Sequence, residues 1–295
     1  MAAFLARERT LVQRSMQVGL SSDSHELRFE RELVARVNPA AVGVGLSGPA
    51  LQVFYALPAF TFEPFRTRGL ITYPLRFRLV AWDSSGAVAA LLDTILTITR
   101  FAPATGDLPI LGRVEVPLAA GRYSYRMALQ SGDRAGVTLP PDTLHVAGPP
   151  PLGAAGLALS DLLLGGTPTS MVWHPPLGDS VSVDPAAVFG RNSTMQLAAE
   201  VYGPSTGAKL RARAFVAPLG APAGTPLKWR SFPGASGWKR FSPGVSPVPS
   251  VGRLRLDFPL KKLAPGRYLL ELLVTDEHKQ SARGRRVFEV RAVEP

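Results

Sequence analysis

The sequence predicts an all-β protein made of two tandem immunoglobulin-like or fibronectin III-like antiparallel β-sandwich domains. Three observations lead there: apolar and polar residues that alternate over many short runs, turn-forming clusters between those runs, and a closing motif that occurs twice. At 295 residues the chain exceeds what one sandwich needs and suffices for two cores. Apolar residues make up 46% of it and charged residues 19%, a balance too apolar for disorder. The 28 Gly and 28 Pro are an excess that many turns would use.

Residues 1–24 read as an N-terminal extension, partly helical, because Phe4, Leu5, Leu11, Val12 and Met16 share a loose apolar face. Residues 25–148 form the first predicted sandwich. Alternation runs through 27–37 and then, more strongly, through 73–82. There Tyr73, Leu75, Phe77 and Leu79 point into a core, and Arg76 and Arg78 between them are expected in solvent. In 122–129 the inward set is Tyr123, Tyr125 and Met127. Strands with one wet face imply antiparallel sheets. Asp83-Ser84-Ser85-Gly86, Ser131-Gly132-Asp133 and Gly203-Pro204-Ser205-Thr206-Gly207 carry the turn chemistry of hairpin connections.

The repeat sets the domain count. Val114-Glu-Val-Pro-Leu118 followed by Gly121-Arg122-Tyr123 recurs as Leu256-Asp-Phe-Pro-Leu260 followed by Gly266-Arg267-Tyr268. In immunoglobulin-like sandwiches such a Gly permits a tight corner and the Tyr anchors it in the core. Pro149, Pro150 and Pro151 mark a semi-rigid linker over 149–156. The second sandwich then spans 157–295, with alternation at 209–216 and 253–258, a helical turn expected at 160–164, and an inserted loop at 217–252.

Several chemistries are excluded or unsupported. With no cysteine there is no disulfide, thiolate metal site or cysteine nucleophile. Gly43-Val44-Gly45-Leu46-Ser47-Gly48 fits a dinucleotide fingerprint, but Pro49 and a strand-like run follow where a helix must start. Gly203 to Gly207 fits a nucleophile elbow, yet an alternating strand follows it. His25, His145, His174 and His278 are isolated, and the carboxylates beside turns occur singly. No catalytic residue, metal site or cofactor is expected. No run of eighteen apolar residues exists and no export signal is visible, so an integral membrane span is not expected either.

The formal charge is +11, and residues 151–295 hold 18 basic against 10 acidic groups. All six lysines lie at or after Lys209. Such a balance suits acidic protein partners or an anionic membrane surface. The inserted loop is the first binding candidate: it carries Lys228, Trp229, Arg230 and Phe232, then Trp238, Lys239 and Arg240, and Trp and Arg dominate interface hot spots. Against this stands the reading of both tryptophans as core caps. An outward stripe of Arg211, Arg213, Arg253 and Arg255 is the second candidate, set against an ordinary solvated sheet face.

Leu159-Ser160-Asp161-Leu162-Leu163, Asp184-Pro185 with Phe189, the run Gln196 to Gly203, and Gly266-Arg267-Tyr268 together resemble the β-sandwich region of GWxTD domain-containing bacterial proteins. The likeness covers much of residues 25–292. The naming motif itself is absent, since Gly237-Trp238-Lys239-Arg240 lacks its Thr-Asp. The resemblance implies a membrane-peripheral protein of the cell envelope, on the periplasmic side, and the missing export signal leaves the cytoplasmic side open. The expected function is a non-enzymatic structural or accessory protein that docks onto a protein partner within a larger, membrane-associated assembly. A carbohydrate-binding module with Trp229, Trp238 and Trp173 stacking on sugars is the alternative. Nucleic acid ranks lower because the arginine stripe lacks aromatic residues.

Overall fold

A computed structural model describes residues 29–45, 48–62, 64–67, 69–102, 109–132, 134–148, 156–167, 170–175, 179–204, 209–220, 226–232, 239–241 and 251–292. The helical extension expected at 1–24 and most of the linker at 149–156 lie outside them. Strands β1 (Arg31–Glu32), β2 (Arg36–Gly45), β3 (Gly48–Pro58), β4 (Phe65–Thr67), β5 (Leu70–Asp83), β6 (Val88–Arg100), β7 (Pro109–Pro117), β8 (Gly121–Ser131) and β9 (Ala135–Val146) come first. Then follow β10 (Ala158–Leu159), β11 (Leu163–Gly165), β12 (Met171–Trp173), β13 (Val181–Val183), β14 (Val188–Gly190), β15 (Thr194–Tyr202) and β16 (Leu210–Pro218). The last are β17 (Arg230–Ser231), β18 (Lys239–Phe241), β19 (Val251–Pro259), β20 (Gly266–Thr275) and β21 (Ser281–Arg291). Among the described residues the one helical element is a 3-10 turn at Ala59–Thr61, so the fold is all-β.

The chain divides into two compact units. The first comprises Met1–Arg36, Ala56–Ile110 and Gly121–His145; the second comprises Val37–Tyr55, Leu111–Ala120 and Val146–Pro295.

In the first unit one sheet runs β1-β9-β8-β5-β4, with β6 along β5 as well. Register sets Phe77 opposite Leu129 and Leu79 opposite Met127, so the inward residues of β5 and β8 share a face, and all are buried as the alternation requires. The turn between β5 and β6 also follows from its residues. The Asp83 carboxylate accepts hydrogen bonds from the Ser85 hydroxyl and from the backbone N–H groups of Ser85 and Ala87. Those bonds, the hydroxyl's first, hold the carboxyl below the usual carboxylate range.

The opposite face departs from expectation, because Arg78 is only 2% exposed instead of lying in solvent. The cause is a counter-charge on the neighbouring strand. Asp93 of β6 stands opposite Arg78 in register, takes a 3.3 Å contact from its Nε, and takes two 2.7 Å bonds from Arg76. Farther along the same face, Val80 packs with Ala128 and Trp82. Alternation tells which residues share a face but not whether that face is later covered. Burial opposes ionisation of Asp93, but hydrogen bonds from Arg76 and the charges of Arg78 and Arg76 outweigh it and hold the carboxyl low.

In the second unit, one sheet joins β10 and β11 to β15, which pairs with β19 on its other edge. A second runs β14-β21-β20-β16, and both β17 and β18 pair with β16. The two sheets enclose a common core: Met195, Leu197, Val201, Leu254 and Phe258 from one, Leu210, Val216, Leu270, Leu272 and Phe288 from the other. Strands β15 and β16 therefore lie in different sheets, so the hairpin expected between these two runs does not pair them; residues 205–207 of the expected turn lie outside the described residues. At 160–164 there is no helical turn. Asp161 bonds to Ala41 on β2 and Leu163 opens β11, because the apolar run is buried and needs ladder partners.

The repeated motif closes this sandwich as its residues suggest. Gly266 has a φ of 152°, which residues with side chains rarely adopt, and Tyr268 at the start of β20 is buried. The Tyr268 hydroxyl donates to the Ala264 carbonyl at 2.7 Å, the corner bond of immunoglobulin-like sandwiches. Its ring stacks on Phe288 at 5.5 Å.

Asp93→Asn is expected to lower stability by about 2 kcal/mol at neutral pH, since Arg78 loses its counter-charge at a partly covered site. The Asp93 pKa is lower folded than unfolded, so its contribution is complete above the unfolded value and disappears as pH falls through the folded one. Urea denaturation at pH 7 and at about pH 3 should show a steeper acid loss in the wild type than in the variant. Tyr268→Phe, which keeps the ring and removes the corner bond, should cost about 1 kcal/mol in the same measurement.

Candidate functional site

Alternation along β16 puts Leu210, Ala212, Ala214 and Val216 in the core and leaves Arg211, Arg213 and Phe215 on the outer face. Register continues the pattern across the sheet. Arg213 stands opposite Leu273 of β20, which stands opposite Arg283 of β21; Phe215 stands opposite Glu271, and Glu271 opposite Arg285. Four arginines thus interleave with apolar groups, and the carboxylate among them, Glu271, is bound by Arg285 at 2.7 Å. No carboxylate pairs with Arg211, Arg213 or Arg283 among the described residues.

The first part of the inserted loop closes on the same face. Ser231 of β17 lies opposite Phe215 and accepts a 3.0 Å bond from Arg213 Nη2. The Arg213 guanidinium also covers the Phe215 ring at 4.9 Å. Trp229 is half-buried, with the Arg285 guanidinium 5.6 Å above its ring, and Lys228 and Arg230 are exposed beside it.

The remaining candidates separate. Phe232, expected among the binding residues, is a core residue instead, 4.5 Å from Phe258 between ring centres. Lys239 and Arg240 pair through their backbone with Ala212 and Arg211, and Trp238 lies outside the described residues. Arg253 and Arg255 sit on β19, in the other sheet from Arg211 and Arg213, so the four do not form one stripe. Arg283 and Arg285 were the missed members; their i, i+2 spacing in β21 was visible, but the adjacent Arg286 blurs it.

A second site lies on the outer face of the β15–β19 sheet, where Arg253 is committed to Glu200. The Glu200 carboxylate is buried, and Oε1 takes Arg253 Nε and Nη2 at 3.3 and 3.2 Å. Its Oε2 takes the backbone N–H of Gly43 and the hydroxyl of Tyr202, each at 2.9 Å. Nearby, Asp161 accepts a 2.8 Å bond from the Ala41 N–H. Burial, then the negative charge of Glu200, push the Tyr202 phenol far up, so it stays a donor.

Adjoining Glu200 is a cavity of about 150 Å³ whose lining includes Trp173, Ala198 and Arg253. Gly43 adopts a φ of 89°, and a Cβ there would come within 3.1 Å of the Trp173 ring, so glycine makes room for the indole. Trp173 packs edge-on against Phe54 at 5.9 Å and is buried, which takes it out of any sugar-stacking platform. Its Nε1 has no hydrogen-bond partner. No cluster of three or more potential metal ligands occurs among the described residues.

No family model matches this chain, and no curated protein matches it. Among solved structures it is similar to red sea bream transglutaminase at 9% sequence identity and a TM-score of 0.24, covering 87% of this chain and 31% of that one. The chain thus spans under a third of that structure's length. No helix of the described residues is long and apolar enough to cross a membrane.

Glu200→Gln should destabilise the chain by about 2 kcal/mol by leaving Arg253 without its counter-charge. Glu200→Leu should cost more, because the Gly43 N–H and the Tyr202 hydroxyl also lose their acceptor. Guanidinium denaturation of the two variants against wild type checks the order.

Proposed function

We propose that this chain is a non-enzymatic accessory protein that docks through the arginine-rich outer face of the β14-β21-β20-β16 sheet onto an acidic protein surface of a larger, membrane-associated assembly. The observation that carries this reading is the set of rows made by Arg211, Arg213, Arg283 and Arg285 with Phe215, Leu273 and Trp229, among which Glu271 is the counter-charge. Planar guanidinium groups bind carboxylates in pairs, and their weak hydration lowers the cost of covering them. Interleaved apolar and aromatic groups supply area that a purely electrostatic contact lacks. That mixture favours a protein partner over a lipid headgroup layer, for which lysines around an amphipathic helix are the common solution. The envelope setting rests on the resemblance to the GWxTD-associated sandwich region.

The test is a pull-down from native membranes with the wild type and with an Arg211→Glu, Arg283→Glu double variant. A partner retained at low salt, released at about 0.5 M salt and not captured by the double variant is the expected result, because exposed charges are screened over a few ångströms there. Recovery of a solitary chain under every condition, or capture unaffected by charge reversal, overturns the proposal.

A further inference from the structure

Strand β6 of the first unit pairs with β5 along one side and with no other strand among the described residues. The ladder runs unbroken from Ile71 opposite Arg100 to Ala81 opposite Ala90, then slips so that Trp82 faces Val88. Residues 90–100 thus form a regular free edge, whose outward N–H and C=O groups have no ladder to join. Natural proteins blunt such an edge with lysine, proline, a bulge or an inward charge. Residues 90–100 contain no lysine and no proline, and the slip lies before them. Their carboxylate, Asp93, is held by Arg76 and Arg78 of the neighbouring strand.

The chemistry of the edge narrows what can lie along it. Both of its faces are apolar: Leu91 and Ile95, on the side of Arg78, are 60% and 63% exposed, and Leu92, Leu96 and Ile98, on the core side, are partly exposed. With Asp93 neutralised in place and Arg100 at the far end, nothing along the middle of the edge attracts an anionic lipid, a nucleic acid or a charged peptide. A strand that fits must be apolar on both faces, as long as the edge, and free along one side. Strand β6 of a second copy meets all three conditions, and antiparallel pairing of identical strands closes on itself as a two-fold dimer.

We propose that β6 is a homodimer edge, at which two copies of this chain pair antiparallel about a two-fold axis through Ile95. Ile95 is the middle residue of 90–100, so this register overlaps the whole of both edges and aligns about a dozen backbone hydrogen bonds. Across the axis Ile95 meets its own counterpart, Leu92 meets Ile98, and Asp93 meets Thr97, whose hydroxyl can donate to it. A register centred on Asp93 would instead set two carboxylates opposite each other.

The chain has no cysteine, so single cysteines report the pairing directly. Directly opposed residues of an antiparallel pair lie within disulfide reach. Under mild oxidation Ile95→Cys is expected to give a covalent dimer. Thr99→Cys alone should not, because its two copies would lie about 27 Å apart, yet Thr99→Cys mixed with Leu91→Cys should cross-link. In sedimentation at about 0.1 mM the wild type is expected as a discrete dimer. Ile95→Lys, which sets two like charges on the axis at an exposed position, should weaken association roughly tenfold or more; the cysteine variants carry the test if it fails to fold. A wild type that stays monomeric, open-ended oligomers without a dimer, a dimer indifferent to Ile95→Lys in its folded form, or Thr99→Cys cross-linking as readily as Ile95→Cys would each overturn the proposal.

Discussion

The second unit is organised around one buried carboxylate. Glu200 is nearly inaccessible to water, and such a charge is tolerable only where its oxygens are fully used. Arg253 supplies the counter-charge across the β15–β19 ladder, Tyr202 adds a hydroxyl from the same strand, and Gly43 adds a backbone N–H from β2. The last of these joins a segment 157 positions away to the sandwich. With β2 held there, and Ala41 bonded to Asp161, Val42 and Trp173 come to rest against Ala198 and define the cavity. The same carboxylate also withdraws Arg253 from any partner by holding its guanidinium.

Most strands were legible because their inward faces meet a core. Tyr73, Leu75, Phe77 and Leu79 on β5, and Leu254, Leu256 and Phe258 on β19, recur every second residue and are buried. The Gly266-Arg267-Tyr268 corner was legible for a different reason: it needs a backbone angle suited to glycine and a ring that reaches back four residues. The burial of Arg78 was not legible, since it depends on Asp93, fifteen positions away and set opposite only by the length of the intervening hairpin. Nor was the crossing from β15 to β16, because a polar turn between two alternating runs reads the same whether the chain stays in its sheet or changes sheets.

The candidate site divides along the same line. Arg211, Arg213 and Trp229 could be found from residue type and spacing, and they share a face with Phe215. Phe232 could not be told from its loop neighbours by type, and its place among Phe258 and Phe288 belongs to packing. Grouping Arg253 with Arg211 failed because identical spacing on two strands carries no information about which sheet each strand joins. The cavity was invisible for a related reason: it is made by what Ala198 lacks and by groups drawn from four separate parts of the chain.

Strand β14 has a mechanical consequence. It runs parallel to β21, with Val188, Phe189 and Gly190 facing Glu289, Val290 and Arg291. A load that draws the entry of β14 away from the exit of β21 acts along both strands in opposite senses and shears these rungs together. An antiparallel pair pulled from one end would unzip rung by rung instead. Rupture under force follows the unfolding barrier and not the equilibrium stability, so this short parallel pairing affects how the edge of the second unit responds to load more than it affects equilibrium unfolding.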